Sequence, residues 1–350
     1  YERGACAFTE GDRMDTESEM KFWKDAGHVA RRSLEAAKEK IVAGNSWNDA
    51  ILYAEKYIER HGGKPAFPTT ISVNQIAAHY TTEHTLTPPE IWEDEMVFKK
   101  GDLVKLDIGA HINGYIADNA MTIEVGNGGK HTEQIKAARD ARDASIEVMM
   151  PGTPWYKVGA AAEQVAIDAG FRPIRNLCGH QMIRNNLHSG VSVPSFKCGE
   201  NHPGFQGKVE QNAIYAVEPF NTTGNSGMIE NISPRNSSNI YRVTGNVDVR
   251  KALAKNKLKP LGAQLARFIQ DRYGTLPFAE RWAFPMLTKP FPNESEESKL
   301  SKWNALVKKL INIRFLETYH ALSCVDGGNI GQFEHTVHIT ESGPEVLTVE

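Results

Sequence analysis

The chain has no apolar run approaching the ~20 residues needed to cross a bilayer, and its first stretch, Tyr1 to Glu10, shows neither the basic nor the apolar region of a secretory signal. A cytoplasmic location and no membrane partner are therefore expected. Cysteine is scarce. Cys6, Cys178, Cys198 and Cys324 stand far apart without CxxC spacing, which argues against a zinc knuckle or a disulfide framework. Charge of one sign is lacking too, the 350 residues carrying a formal net charge of -3, so there is no global bias toward DNA or membrane surfaces. A phosphate-binding loop is also missing. Gly126-Asn-Gly-Gly-Lys130 would need a glycine where Glu124 stands and Ser or Thr where His131 stands, and it reads as a turn.

What is present can bury a large core, with 40% hydrophobic residues. Phe22, Ala26, Val29, Ala30, Leu34, Ala37 and Ile41 recur at helical intervals and predict a helix over 18–43 that Gly44 ends. Asn45 or Ser46 caps a second helix running to His61-Gly62-Gly63. A strand is expected over 70–78, then two more helices at 131–150 and 155–169 followed by further strands. Helix, helix, strands thus occurs twice, hinting at a pseudo-repeat with a site between its halves. Composition then shifts. Residues 237–314 carry helical patterns at 249–273 and 294–316 around a Pro- and aromatic-rich stretch, and read as an inserted helical subdomain interrupting a domain made of 1–236 and 315–350.

Five residues of metal-ligand type sit beside short apolar runs: Asp107, Asp118, His180, Glu218 and Glu334. Four carboxylates and one imidazole make a hard, mostly oxygen shell suited to two divalent cations holding a hydroxide nucleophile. Asn113-Gly114 is a strong hairpin signal. As the two loop residues they pair Ile112 with Tyr115, Gly109 with Asp118 and Asp107 with Ala120, leaving Asp107 and Asp118 as diagonal neighbours on one face, ~7–8 Å apart along the backbone. Taken singly, an Asp here more often caps or solvates a strand, and a lone His is more often a core or surface residue than a ligand. An unpaired carboxylate within an apolar run is costly, however. His180 and His188 also fall within nine residues, beside Gly179 and Gly190, where backbone can approach closely.

The strings Ile76-Ala-Ala-His79-Tyr-Thr81, Lys105-Leu-Asp107-Ile-Gly109, Gly114-Tyr-Ile-Ala-Asp118, Asn176-Leu-Cys-Gly-His180, Val217-Glu218-Pro-Phe220, Leu276-Pro-Phe-Ala-Glu-Arg-Trp282 and Gln332-Phe-Glu334-His-Thr336 together resemble the methionine aminopeptidases of type 2, in unbroken order from about Glu17 onward. The long insertion between Glu218 and Glu334 is similar to type 2 rather than type 1, and the absence of a Lys-rich N-terminal extension is similar to the archaeal members.

That resemblance implies a mixed α/β (α+β) "pita-bread" fold, an antiparallel sheet flanked by two pairs of helices. It implies two divalent metals, Co, Mn, Fe or Zn, held by Asp107, Asp118, His180, Glu218 and Glu334, with Asp118 and Glu334 bridging. His79 and His188 would flank the scissile bond, and Glu218 would carry the proton from attacking water to leaving amine. Phe67, Leu187, Phe220 and Tyr319 match positions lining the methionine pocket. The implied activity is removal of the N-terminal methionine from nascent chains, with a free amine required and a small second residue preferred. A monomer is expected, and a ribosome contact is a further implication. One departure is the Pro-containing loop from Thr82 to Asp102, where the family has a proline directly after the His79-Tyr-Thr81 string; the rim of the site is expected to differ there. Two alternatives stand beside this reading. One is a Pro-specific dipeptidase on the same fold. The other is a non-catalytic paralogue binding ribosome or RNA through the basic run Arg250, Lys251, Lys255, Lys257 and Lys259, although such a run is usually a solvated helix face.

Overall fold

The computed structural model describes residues 17–81, 96–126, 128–232, 239–245, 247–255, 257–288 and 291–349. Most of the Thr82–Asp102 loop, residues 82–95, lies outside them. The helix pairs expected from sequence are present as Glu17–Lys38 with Trp47–Arg60, and Thr132–Glu147 with Trp155–Asp168. Each pair packs together, and the first helix lies across the hairpin strands Leu103–Ile112 and Tyr115–Glu124. Of the two expected caps, Ser46 is the one used: its hydroxyl accepts from Asn48 N. The first helix stops at Lys38, short of the expected 43, because Lys40 N and Ile41 N turn back to Ala37 O and Lys38 O and tighten the chain into turns. Ile41 stays buried all the same.

Among the described residues every ladder is antiparallel, and the strands divide into a four-stranded, a five-stranded and three three-stranded sheets. The expected 70–78 strand breaks into Thr70–Val73 and Ile76–Ala78. Asn74 makes the break: it sits at φ 54°, a region Asn tolerates, and its amide donates to Asp102 while its Oδ1 accepts from Leu103 N at 2.9 Å. The hairpin register is the one Asn113-Gly114 demanded, with Gly109 opposite Asp118 and Asp107 opposite Ala120.

The two halves meet along an unusual seam. Ala120 bridges Glu334, and Glu334 N donates to Ala120 O at 3.0 Å. On either side a threonine hydroxyl takes the place of the backbone ladder. Thr336 Oγ1 accepts from Asp118 N (2.7 Å) and donates to Asp118 O (2.8 Å); Thr122 Oγ1 accepts from Gln332 N (2.8 Å) and donates to Gln332 O (2.6 Å). Both threonines are buried, and each hydroxyl uses its one donor and one of its two acceptor sites.

Residues 240–316 supply a hydrophobic cluster of their own, around Trp303, Phe278, Phe284 and Leu265. The pattern read as one helix over 249–273 is two, Val249–Ala254 and Pro260–Tyr273, since Pro260 lacks the N–H that a continuous helix would need. The pattern at 294–316 is the helix Glu296–Asn312, and Leu316–Tyr319 then pairs with Ile240–Val243 as a strand. A buried ion pair fastens this part to the second helix. The Arg281 guanidinium and Trp282 Nε1 donate to the Glu55 carboxylate, which also accepts from Thr69 N. Arg281 reaches Thr81 Oγ1 as well, at 3.1 Å. Among the described residues no helix is long and apolar enough to cross a membrane.

Burial pushes the Glu55 carboxyl up while Arg281 pulls it down. Arg281→Met, which leaves Glu55 buried without its cation, is expected to destabilise the chain by about 3–5 kcal/mol. The pair Glu55→Gln with Arg281→Met should lose clearly less. A urea midpoint for Arg281→Met no lower than that of the exposed Arg267→Met would show that the ion pair fastens nothing.

Candidate metal centre

The five sequence-predicted ligands converge. Asp107 and Asp118 come from the two hairpin strands, His180 from Gly179–Met182, and Glu218 from just beyond Ile214–Val217. His335 pairs with Val217 and Gln332 with Phe220, so one register runs on both sides of a gap in which Glu218 and Glu334 face each other. Ligand atoms of Asp118, His180 and Glu334 all lie within 4.8 Å of one another. His180 Nε2 is 3.6 Å from Asp118 Oδ2 and 3.5 Å from Glu218 Oε1. Asp107 lies close enough to Asp118 for the two carboxyls to share a proton.

Two glycines show why this geometry needs them. A Cβ on Gly179 would stand 2.2 Å from Ala216 O, so the His180 strand can approach its neighbour only without one. A Cβ on Gly109 would be 2.1 Å from the Phe67 ring. Gly190 is different from the sequence reading: nothing approaches it, and its requirement is the positive φ of 104°.

The chemistry of the cluster is that of a cation site. Asp118 and Glu334 are buried, and Asp107 Oδ1, Asp118 Oδ1 and Glu334 Oε1 have no hydrogen-bond donor from the protein. Buried carboxylate oxygens left this way are rare and call for an ion. Burial first, and then mutual repulsion, hold Asp118, Glu218 and Glu334 well above the usual carboxylate range; burial puts Asp107 at about 7. Burial also depresses His180 to about 4, which keeps its imidazole neutral and able to bind a metal.

His79 and His188 flank this cluster. The His79 backbone sits at φ 69°, and its Nδ1 donates to His320 O at 3.0 Å, leaving Nε2 as the free ring nitrogen. The His188 ring lies 4.2 Å from that of His180 and stacks on Tyr319 at 5.9 Å. Tyr319 OH is 3.2 Å from His188 Nδ1. The Tyr319 oxygen also accepts from Arg242; with its own proton turned to Nδ1, the hydroxyl would keep the imidazole hydrogen on Nε2. Burial, then His180, Arg242 and His79, hold His188 well below its ordinary value. Of the pocket candidates, Phe67 and Leu187 share one buried cluster, while Phe220 belongs to another with Ala77 and Ala78. Tyr319 stands between the two histidines, its ring 5.3 Å from that of His79.

Sequence reasoning missed three contributors. Gln332 Nε2 lies 3.4 Å from Glu218 Oε2 and 3.3 Å from Glu334 Oε2, an amide donor between two carboxylates. Its signal was available, since it stands two residues before Glu334. Arg242 and the His320 carbonyl had none, because each reaches the site only through the tertiary fold.

Groups held above their ordinary range bind more protons folded than unfolded. Their contribution to stability is therefore present at acid pH and lost as pH rises through the folded value, about 7 for Asp107. The depressed histidines His180 and His188 act with the opposite sign over the same range, so the readout is the metal-induced gain: added Mn, which displaces protons from the cluster, should raise the melting temperature more at about pH 8 than at about pH 5. A metal-induced gain that is the same at both would contradict a carboxylate cluster that exchanges protons for metal.

Comparison with known proteins bears on the site. Metallopeptidase family M24 matches residues 21–260. A methionine aminopeptidase of Archaeoglobus fulgidus is 33% identical over 335 residues, covering 96% of this chain and 100% of that protein. Among solved structures, a methionine aminopeptidase of Thermotoga maritima aligns with TM-score 0.62 at 23% identity, covering 97% of this chain and 100% of that one. A thermophilic Arx1 aligns with TM-score 0.77 at 19% identity over 95% and 91%. At these identities the two structures speak for the fold.

Proposed function

Since the chain belongs to metallopeptidase family M24 and, within it, to the methionine aminopeptidases, we propose that Asp107, Asp118, His180, Glu218 and Glu334 hold two divalent cations for removal of the N-terminal methionine from nascent chains. The observation that carries this residue assignment is the cluster of buried Asp118, His180 and Glu334, with the largely enclosed Asp107 and Glu218 beside it and carboxylate oxygens that no protein donor satisfies. When bound, divalent metal supplies an acidified water and a Lewis acid for the scissile carbonyl.

The side chains do the rest. Glu218, whose side chain at 12% exposure meets solvent more than those of Asp118 and Glu334, takes the proton of the attacking water and returns it to the leaving amine. His188 presents its Nε2 hydrogen to the carbonyl oxygen as charge develops there, and Tyr319 holds that tautomer. His79 orients the peptide from the opposite side. Phe67, Leu187, Phe220 and Tyr319 enclose the methionine side chain, and its pocket takes thioether as readily as hydrocarbon. The exposed basic run Arg250, Lys251, Lys255, Lys257 and Lys259 is the surface we assign to RNA near the emerging chain. A Pro-specific dipeptidase and a non-catalytic paralogue are not favoured, because the relative matched over its full length is a methionine aminopeptidase.

The test is methionine release from a Met-Gly-Met peptide after chelation and readdition of Co or Mn. Release should need metal and a free N-terminal amine. Glu334→Ala should lose both activity and calorimetric metal uptake. His188→Ala should retain uptake while kcat falls about 10²–10³-fold. Cleavage that survives chelation, or equal cleavage of the N-acetylated peptide, would sink the assignment.

A further inference from the structure

A cleft of about 900 Å³ opens between the helices Glu17–Lys38 and Thr132–Glu147, lined on one side by Arg31 and Lys38 and on the other by Lys136, Arg139 and Arg142. Its floor is the seam strand: Met121, Thr122 and Ile123 on one edge, Phe333 on the other. Phe333 is the residue before Glu334 and turns toward the helices, where it belongs to their buried cluster. That volume falls in the range of small-ligand sites, ~300–1,000 Å³.

The cations of this cleft are not fully matched. Carboxylates are present, but most are committed. Glu35 pairs with Arg31 and Lys38, and Asp140 with Lys136. Glu124 accepts the backbone N–H groups of Lys130 and His131. Arg142 is buried and has the largely exposed Asp143 as its partner, at 2.7 Å. Arg139 has no carboxylate partner among the described residues; its guanidinium lies 5.0 Å from the centre of the Phe333 ring, with that of Arg142 at 5.5 Å. Arg31 Nε is buried with no hydrogen-bond partner. Burial presses Arg142 below its ordinary range, Asp143 opposes this, and the like charges of Arg139 and Arg31 add to it. Three guanidiniums from two helices thus face one cavity with donor capacity to spare.

We propose that this cleft binds a small phosphorylated ligand of nucleotide size, with its phosphates held by Arg31, Arg139 and Arg142 and its apolar part against Met121, Ile135 and Phe333. Guanidinium forks match phosphate oxygens two at a time, and several of them balance a multiply charged group better than a single carboxylate would. The floor supplies the apolar area that an inorganic anion would leave unused. The proposal stands apart from the aminopeptidase reading, since none of the metal-ligand residues lines the cleft.

The experiment is calorimetric titration of the metal-loaded full chain with Mg-ADP, alongside Arg139→Gln and Arg32→Gln. Arg139 and Arg32 are both exposed, and Arg32 is on the same first helix as Arg31 but outside the cleft lining. One ADP per chain is expected, weakened about tenfold or more by Arg139→Gln and unchanged by Arg32→Gln. Circular dichroism melts of both variants will show that they remain folded. Inorganic pyrophosphate should bind more weakly than ADP. Binding that survives Arg139→Gln is binding elsewhere, the metal centre included, and overturns the proposal. Equal loss in Arg32→Gln would mean diffuse surface attraction, and pyrophosphate as tight as ADP would remove the role of the floor; either result overturns it, as does no binding at millimolar ADP.

Discussion

Four carboxyls gathered around one point, two of them fully buried, repel each other whenever they ionise, and the fold must hold the elements carrying them together regardless. Two threonine hydroxyls meet that constraint. At Asp118 and at Gln332 a hydroxyl accepts the amide and donates to the carbonyl of the same residue, joining strands that are not continued as a ladder. A hydroxyl does this with no charge of its own and with one donor and two acceptor sites. Directly between the two lies the Ala120–Glu334 bridge, so the Glu334 carboxylate projects from the best-tied point of the seam. Ala120 leaves room there; a larger side chain opposite Glu334 would compete for the same space.

The chain that follows the 240–316 cluster contributes to the site directly. The return strand Leu316–Tyr319 carries Tyr319 to His188, and the next residue offers its carbonyl to His79. Both imidazoles are therefore oriented by a segment more than a hundred residues further along the chain. Arg281 ties residues 240–316 to Glu55 and to Thr81, two residues beyond His79. The chain on both sides of the histidines' contacts is thus tied down by a buried ion pair that touches neither of them.

Much of this was legible in the sequence, for identifiable reasons. The Asn113-Gly114 turn sets the hairpin register because those two residues accept φ 53° and 88° there, and the register alone puts Asp107 and Asp118 on one face. The helix pairs were readable from their buried periodicity, with errors only at their ends, while the 249–273 pattern hid the break before Pro260. The seam was not readable. Thr122 and Thr336 look like ordinary β-formers, and nothing local says that their hydroxyls will meet backbone from the other half. Gln332 could have been found from its place beside Glu334, whereas Arg242 is one cation in an otherwise unremarkable strand. The break at Asn74 was missed because apolar residues continue on both sides of it.

The seam also bears on the order in which the molecule assembles. Its hydrogen bonds join residues 210 and 218 positions apart. Contacts of that separation carry a large loop-closure entropy and form late, after local hairpins and helix pairs are in place. A chain leaving the ribosome thus holds Asp107, Asp118, His180 and Glu218 well before Glu334 is made. During that interval four of the five residues we assign to metal lack the fifth, and the strand that supplies it must be placed between two pieces already folded. Refolding from denaturant should accordingly end on a slow phase in which the centre closes, with protons occupying the carboxyls until metal arrives.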